Sequence, residues 1–273
     1  LRSLGVEIEY VPPGIGAAIG ERLRANTSVV YLESPGSLTF EVPDVPAIVQ
    51  AVRAARGEAC AILLDNTWAT PLFFKPLALG VDVSIHAATK YIVGHSDANL
   101  GVCVCNEKSF KRVKDMAVNF GVCGGSEEMF LGLRGLRTLA VRMKQHEANG
   151  LALAAWLAER PEVVQIMHPA RGDHPDHALF KRDFTGASGL FAFSLDDRYD
   201  ERAIDRMVDH MRHFKIGFSW GGFESLIVPV RGGPVRRHPH ALRGRPIRIH
   251  AGLEALADLI ADLEAGLHRL NAG

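Results

Sequence analysis

Cys60-Ala61-Ile62-Leu63-Leu64-Asp65, and further on Val81-Asp82-Val83-Ser84-Ile85 running through His86-Ala87-Ala88-Thr89 to Lys90, decide how this chain folds. Residues 60–64 are apolar at every position, the pattern of a strand buried on both faces rather than one. Val81 to Ile85 reads as a second short strand. Each leads to a charged residue: Asp65 directly, Lys90 after a short loop. In parallel α/β sheets ligands sit beyond the carboxyl ends of the strands, and an acid at the end of an apolar strand is costly unless it has a partner.

Outward from this pair the pattern repeats. Ser28 to Glu33 is a β-branched run closed by Ser34-Pro35-Gly36, a turn signal. Asp44 to Arg56 carries Val45, Ile48, Val49 and Val52 on one helical stripe, with Asp44 as N-cap. Leu100 to Cys105 is a further strand. Strand–helix–strand repetition predicts an α/β fold with a mostly parallel sheet. From Ser126 to about Arg160 the spacing is helical, interrupted only by glycines, with Ser126 as cap and Glu127 and Glu128 at the positive end of the dipole. A helix this long often links domains, so residues 1–136 are expected to form a large domain and residues 137–273 a smaller α/β domain. The second carries strands at Gly189–Leu195, Leu226–Val230 and Ile247–His250, and helices at Glu201–Phe214 and Leu253–Leu270.

Bulk properties remove several classes of function. The 31 basic residues balance 31 acidic ones, so no net field draws the chain to nucleic acid or an anionic membrane. No apolar run is long enough to span a bilayer, and no signal-peptide pattern is present. Cys60, Cys103, Cys105 and Cys123 include no CxxC pair and are expected to be reduced core cysteines of a cytoplasmic protein.

One chemistry needs both Asp65 and Lys90. Pyridoxal phosphate (PLP) is held by a lysine as a Schiff base, and a carboxylate keeps its ring nitrogen protonated so that the ring accepts electrons from the substrate Cα. Thr89, beside the lysine, carries a hydroxyl that can reach the cofactor phosphate. By position alone, Asp65 reads more often as a helix cap and Lys90 as a solvated lysine.

The surrounding residues discriminate. Asp65-Asn66-Thr67-Trp68-Ala69-Thr70, followed by Ser84-Ile85-His86-Ala87-Ala88-Thr89-Lys90-Tyr91-Ile92-Val93-Gly94-His95-Ser96-Asp97, resembles the signature of the Cys/Met-metabolism PLP enzymes. The resemblance continues through Arg134-Gly135-Leu136-Arg137-Thr138-Leu139 to the end. Glu33-Ser34-Pro35-Gly36-Ser37, Ser219-Trp220-Gly221-Gly222-Phe223-Glu224-Ser225-Leu226, and Ala87 where siblings usually place a phosphate-binding Ser, are most similar to the bacterial cystathionine β-lyase branch.

The resemblance implies fold type I and PLP as cofactor. It implies Lys90 as the Schiff-base lysine and general base, Asp65 as the partner of the ring nitrogen, and Thr89 and Ala87 at the phosphate. Ile247-Arg248-Ile249-His250 alternates, so Arg248 and His250 share one strand face. Taken alone, Arg248 reads as a surface arginine on an edge strand; by resemblance it binds the substrate α-carboxylate, with Ser219 and Trp220 lining the same end. The implied reaction is β-elimination of L-cystathionine to homocysteine, pyruvate and ammonia, in methionine biosynthesis, by a cytoplasmic homotetramer built as a dimer of dimers. A γ-lyase, methionine γ-lyase or γ-synthase activity is the alternative within the family. The family's glycine-rich phosphate cup, ring-stacking tyrosine and intersubunit arm have no match in residues 1–273, so the large domain is expected to lack its N-terminal part. A PLP-free chain that keeps only the fold and oligomerises is the alternative of another class.

Three other signals are set aside. His168, His174 and His177 lie in a polar, Pro-rich stretch that reads as a solvated loop, not a metal site. Arg231, Arg236, Arg237, His238, His240, Arg243 and Arg245 lack interleaved aromatics and read as a surface loop between strands, not a nucleic-acid site. Gly121 to Gly125 reads as a connector.

Overall fold

The computed structural model describes residues 1–233, 235–238 and 242–272. In the first half, β1 (Val29–Glu33), α1 (Val45–Arg56), β2 (Ala61–Asp65), the short α2 (Thr70–Phe73), β3 (Val83–Ala87) and β4 (Gly101–Cys105) build a four-stranded sheet in sequence order. β1, β2 and β3 pair in parallel and β4 returns antiparallel on β3. The mostly parallel sheet predicted for this half is what forms. Asp44 caps α1, its carboxylate accepting from Ala47 N at 3.2 Å, and the predicted stripe Val45, Ile48, Val49 and Val52 is the buried face. Buried Asp82 fastens the strands: it accepts from Ile62 N of β2, from Arg53 of α1 and from Asn106 beyond β4.

Two expectations about this half are corrected. β2 is fully buried on one face only, at Ile62 and Leu64, while Ala61, Leu63 and Asp65 are half-buried. Among the four cysteines only Cys60 is buried; Cys103 and Cys123 are exposed. The sheet face that presents Val29, Tyr31, Leu63 and Cys103 is left partly exposed among the described residues, and Cys123 lies on the connector between the two helices that follow β4.

After β4 come α3 (Glu107–Asn119), α4 (Ser126–Leu136) and α5 (Leu139–Ala158). The single long helix expected from Ser126 to Arg160 is therefore two, broken at Arg137–Thr138. The break has a cause. Arg142, buried at 6 % exposure, turns its guanidinium onto the carbonyls of Gly135 (2.8 Å), Tyr91 (2.7 Å) and Ile92 (3.3 Å), with Nε on Thr138 Oγ1 at 3.0 Å. It takes the end of α4 and the turn after Lys90 in one grip. Gly94, at φ 71°, leaves room for it: a Cβ there would lie 2.0 Å from Arg142 Nη1. Ser126 does not cap α4; Gly125 occupies that position with no side-chain bond.

The second half holds β5 (Val163–Met167), α6 (His177–Asp183), β6 (Leu190–Leu195), α7 (Glu201–Val208), β7 (Lys215–Ile216), β8 (Leu226–Pro229), β9 (Arg245–His250) and α8 (Leu256–Asn271). Its sheet runs β5-β6-β9-β8-β7 and is antiparallel except at β7–β8. α7 is shorter than predicted because Asp262 of α8 accepts from the amides of Arg212, His213 and Phe214, holding that stretch as a turn.

Two cores result. One joins the first sheet to Leu139, Met143, Met167, Phe180, Phe184 and Leu190 from the second half; the other lies wholly between α5, α7, α8 and the second sheet. Trp68 cements the seam, donating Nε1–H to Leu190 O at 2.8 Å.

The predicted solvated loop at His168–His177 is also corrected. His168 is fully buried and His174 nearly so. The His168 ring packs against Trp68 and Phe191, and its Nδ1 accepts from Ala170 N at 3.3 Å. The basic run does connect β8 to β9, with Arg231 paired to Asp205 and Arg236 to Glu41; His240 lies outside the described residues. Among the described residues no group of three or more His, Cys, Asp or Glu is placed to hold a metal ion, and no helix is long and apolar enough to cross a membrane.

Candidate active site

A pocket opens at the carboxyl ends of β1, β2 and β3. Asp65, Thr67, Ala87 and Lys90 line it from the first sheet, Trp220 and Arg248 from the second, and the turn after β1 closes it with Gly36 and Ser37. Asp65 is the last residue of β2, and Lys90 stands three residues past the end of β3.

Lys90 sits in a tight turn. Its amide donates to Ala87 O at 3.0 Å and its carbonyl accepts from Gly94 N at 2.8 Å, while Thr89 N bonds Leu100 O. The half-buried side chain crosses to the second half of the chain. Nζ donates to Ser219 Oγ at 3.0 Å and lies 5.5 Å from the Trp220 ring centroid. Burial and then the Arg248 guanidinium lower the amine below the ordinary lysine value. An amine so biased loses its proton readily, which nucleophilic and general-base work both require.

Asp65 is oriented by Thr67. Its Oδ1 accepts from Thr67 N at 2.9 Å and Thr67 Oγ1 at 2.6 Å, and that hydroxyl in turn accepts from Ala87 N at 2.9 Å. Among the described residues Oδ2 carries no hydrogen bond, leaving one carboxylate oxygen for a ligand. Glu33, register partner of Asp65, is a second acid in the pocket wall. Desolvation, followed by the Asp65 carboxylate, pushes its carboxyl up to about 7.

Arg248 of β9 donates through Nη2 to Phe218 O at 2.5 Å, and burial lowers its guanidinium below the ordinary arginine value. Its remaining donors can meet an anion in the bidentate manner of a carboxylate. Thr89 stands apart. Its Oγ1 accepts from Leu100 N at 2.9 Å and donates to Leu100 O at 3.3 Å, and it is not part of the pocket wall.

The structure thus brings Lys90, Asp65, Ala87, Ser219, Trp220 and Arg248 together and leaves Thr89 behind the turn. Sequence reasoning assigned nothing to Thr67, Glu33, Tyr91 or Arg142. Thr67 and Tyr91 fell inside the quoted motif and Glu33 inside the quoted Glu33–Ser37 stretch, which were the available signals. The pocket fits PLP: an amine with a lowered pKa, a carboxylate with one oxygen unsatisfied, and a cation for a carboxylate all converge on it.

Comparison with known proteins agrees. The family described as Cys/Met metabolism PLP-dependent enzyme matches residues 1–268. The chain belongs to that family. The enzymes of that family depend on PLP. Among curated relatives, cystathionine beta-lyase MetC of Escherichia coli (strain K12) is 46% identical over 99% of this chain, which spans 69% of that relative's length. An L-alanine/L-glutamate racemase of Wolbachia pipientis wMel is 41% identical over 97% of this chain and 65% of its own length. Among solved structures, metB from Corynebacterium glutamicum superposes with a TM-score of 0.89 at 28% identity, over 99% of this chain and 70% of that one. The fold is that of PLP enzymes of fold type I.

Proposed function

We propose that this protein is a PLP-dependent carbon–sulfur lyase that splits L-cystathionine by β-elimination into homocysteine, pyruvate and ammonia, in methionine biosynthesis. The observation that carries the reading is the convergence of Lys90, Asp65 and Arg248 on one pocket built by both sheets; the identity to curated cystathionine beta-lyases supports the substrate.

When bound, PLP supplies an electron sink for the pair left at the substrate Cα. Each residue then has a task. Lys90 would hold the cofactor through its amine and would move the Cα proton and deliver one to the leaving sulfur. Asp65, aimed by Thr67, holds a proton at the ring nitrogen. Arg248 takes the α-carboxylate. Ser219 holds the freed amine in place and Trp220 shields it from water. Ala87 is the pocket residue proposed for the phosphate end; Thr89, outside the pocket wall, would have to give up its 3.3 Å contact with Leu100 O to donate there.

The same proposal divides the chain into a large domain, residues 1–136, and a small one, residues 137–273, with α5 as the shared wall. It also makes the protein a cytoplasmic homotetramer. Free cysteines support the compartment, and exposed Phe110, Phe120, Phe130 and Leu133 on and beside α3 and α4 support self-association. A monomer in sedimentation would count against the tetramer.

The deciding experiment supplies L-cystathionine to PLP-loaded protein and identifies the keto acid. Pyruvate is expected; 2-oxobutyrate would move the assignment to a γ-lyase. Incubation with L-alanine in deuterated water separates the racemase chemistry of the Wolbachia relative, which would scramble the Cα centre without releasing pyruvate. Lys90→Ala should lose both turnover and the visible absorption of lysine-linked PLP. Absence of that absorption from the unmutated protein would instead leave the PLP-free reading.

A further inference from the structure

His250 is 1 % exposed, shares a strand face with Arg248, and has no task in the chemistry proposed above. Its Nε2 lies 3.1 Å from Gly221 N and 3.2 Å from Gly222 O, and its Nδ1 lies 3.4 Å from Tyr91 Oη. Burial keeps the ring neutral, its pKa held well below the ordinary histidine value. Both neutral tautomers bind the same turn: Nε2 either accepts from Gly221 or donates to the Gly222 carbonyl. His146 packs behind the ring at 5.1 Å between centroids.

The turn so held is the one that meets Lys90. Ser219 accepts from Nζ at 3.0 Å, and the Trp220 ring, 5.4 Å from that of Tyr91, roofs the amine. The approach allows no slack. Gly221 has φ 85°, and a Cβ there would stand 2.9 Å from Lys90 Cα and 2.8 Å from Tyr91 N. Tyr91, next to the lysine, donates to or accepts from the same histidine and accepts from Gly189 N at 3.2 Å. One ring therefore ties the turn of the second sheet to the backbone that carries the lysine of the first.

We propose that His250 is a positioning residue for Lys90: it pins the Ser219–Gly222 turn against the Lys90–Tyr91 backbone and, through Ser219 and Trp220, sets the direction and solvation of the Lys90 amine. The inference rests on the reading of Lys90 as the cofactor lysine.

The test uses reach. Glutamine at 250 places its amide where Nε2 stands; asparagine places it at Nδ1, short of the turn. The full chain, before PLP is added, is labelled with trace acetic anhydride across a pH series, and Lys90 is read by peptide mass spectrometry against Lys215 as reference. His250→Gln should label Lys90 as the unmutated protein does. His250→Asn should let water reach the amine, so that its titration midpoint rises and its labelling at pH 8 falls about tenfold for each unit of rise. In the PLP-loaded protein kcat should fall with KM for L-cystathionine held. His250→Phe fills the ring volume without either nitrogen, should behave as the asparagine variant, and serves if that variant does not fold. Folded asparagine or phenylalanine variants with unchanged Lys90 labelling, or a glutamine variant as impaired as the asparagine one, would overturn the proposal. Turnover surviving in Lys90→Ala would sink the lysine assignment instead, a result separate from the labelling, which is read on the amine itself.

Discussion

At the scale of the residue, Thr67 carries more than its place in the motif suggests. One hydroxyl serves two loops, donating to the Asp65 carboxylate and accepting from Ala87 N. Bonds of this kind to a charged group are worth about 1.5–3 kcal/mol. Thr67→Ala should weaken PLP binding by about tenfold or more in equilibrium dialysis while leaving the fold intact, and Thr67→Ser should restore it. Equal affinity in all three would show that Asp65 does not depend on its neighbour. Asp65 and Lys90 were legible in the sequence through the motif around them, because by position alone an acid after a strand reads as a cap and a lone lysine as solvated. Tyr91 and His250 were not, because their meaning lies in a contact between residues 159 positions apart.

At the scale of the element, Arg142 joins the end of α4 to the turn that presents Lys90. Replacing it by Met keeps the buried stem and leaves the carbonyls of Tyr91 and Ile92 without their donor, at a cost of about 1–3 kcal/mol each, while Gly135 O keeps its bonds from Thr138. Arg142→Met should lower the urea midpoint by an amount corresponding to about 3 kcal/mol or more; a change under 1 kcal/mol would mean that water or another side chain takes over. The sequence showed where helical spacing ran but not that it stopped at Arg137, since the break is imposed by a side chain reaching from the next helix. α3 went unpredicted for a related reason. Its exposed apolar residues, Phe110 and Met116, blur the periodicity that marks a helix with one buried face. Strands with uniform apolar runs, β2 and β6, were read within a residue or two of their ends.

At the scale of the molecule, buried histidines set the response to acid. Burial, before any other cause, lowers His146 to about 4 and His168 to about 3. Both are neutral in the fold, while unfolded histidine titrates near 6.5. The unfolded chain therefore binds more protons between pH 6.5 and these values. The histidine contribution should be whole above about pH 6.5 and decline as pH falls toward 4, by on the order of 3 kcal/mol from His146 alone, opposed in part by Glu33, whose raised carboxyl adds stability as pH falls below about 7. Urea melts across pH 4–8 check this. His168→Phe, kept between Trp68 and Phe191, should flatten the decline, at a cost of about 1 kcal/mol at pH 8 for the bond from Ala170. The two-sheet plan was legible from strand spacing; the shared core that runs across the 136/137 division was not, because hydrophobic patterning says that a face is buried but not against what.

The reach of Lys90 across the seam has a consequence for how the protein comes into being. Its amine meets Ser219, 129 positions along the chain, and contacts that far apart close late because loop-closure entropy must be overcome before they form. The first sheet can assemble while Lys90 is still an ordinary solvated lysine, and the reactive amine exists only once β8, β9 and the Ser219–Gly222 turn that precedes β8 have docked. Capture of the cofactor is then a timer as well as a reaction: its appearance during refolding should lag the growth of helical signal and mark the moment at which the last long-range contact is made.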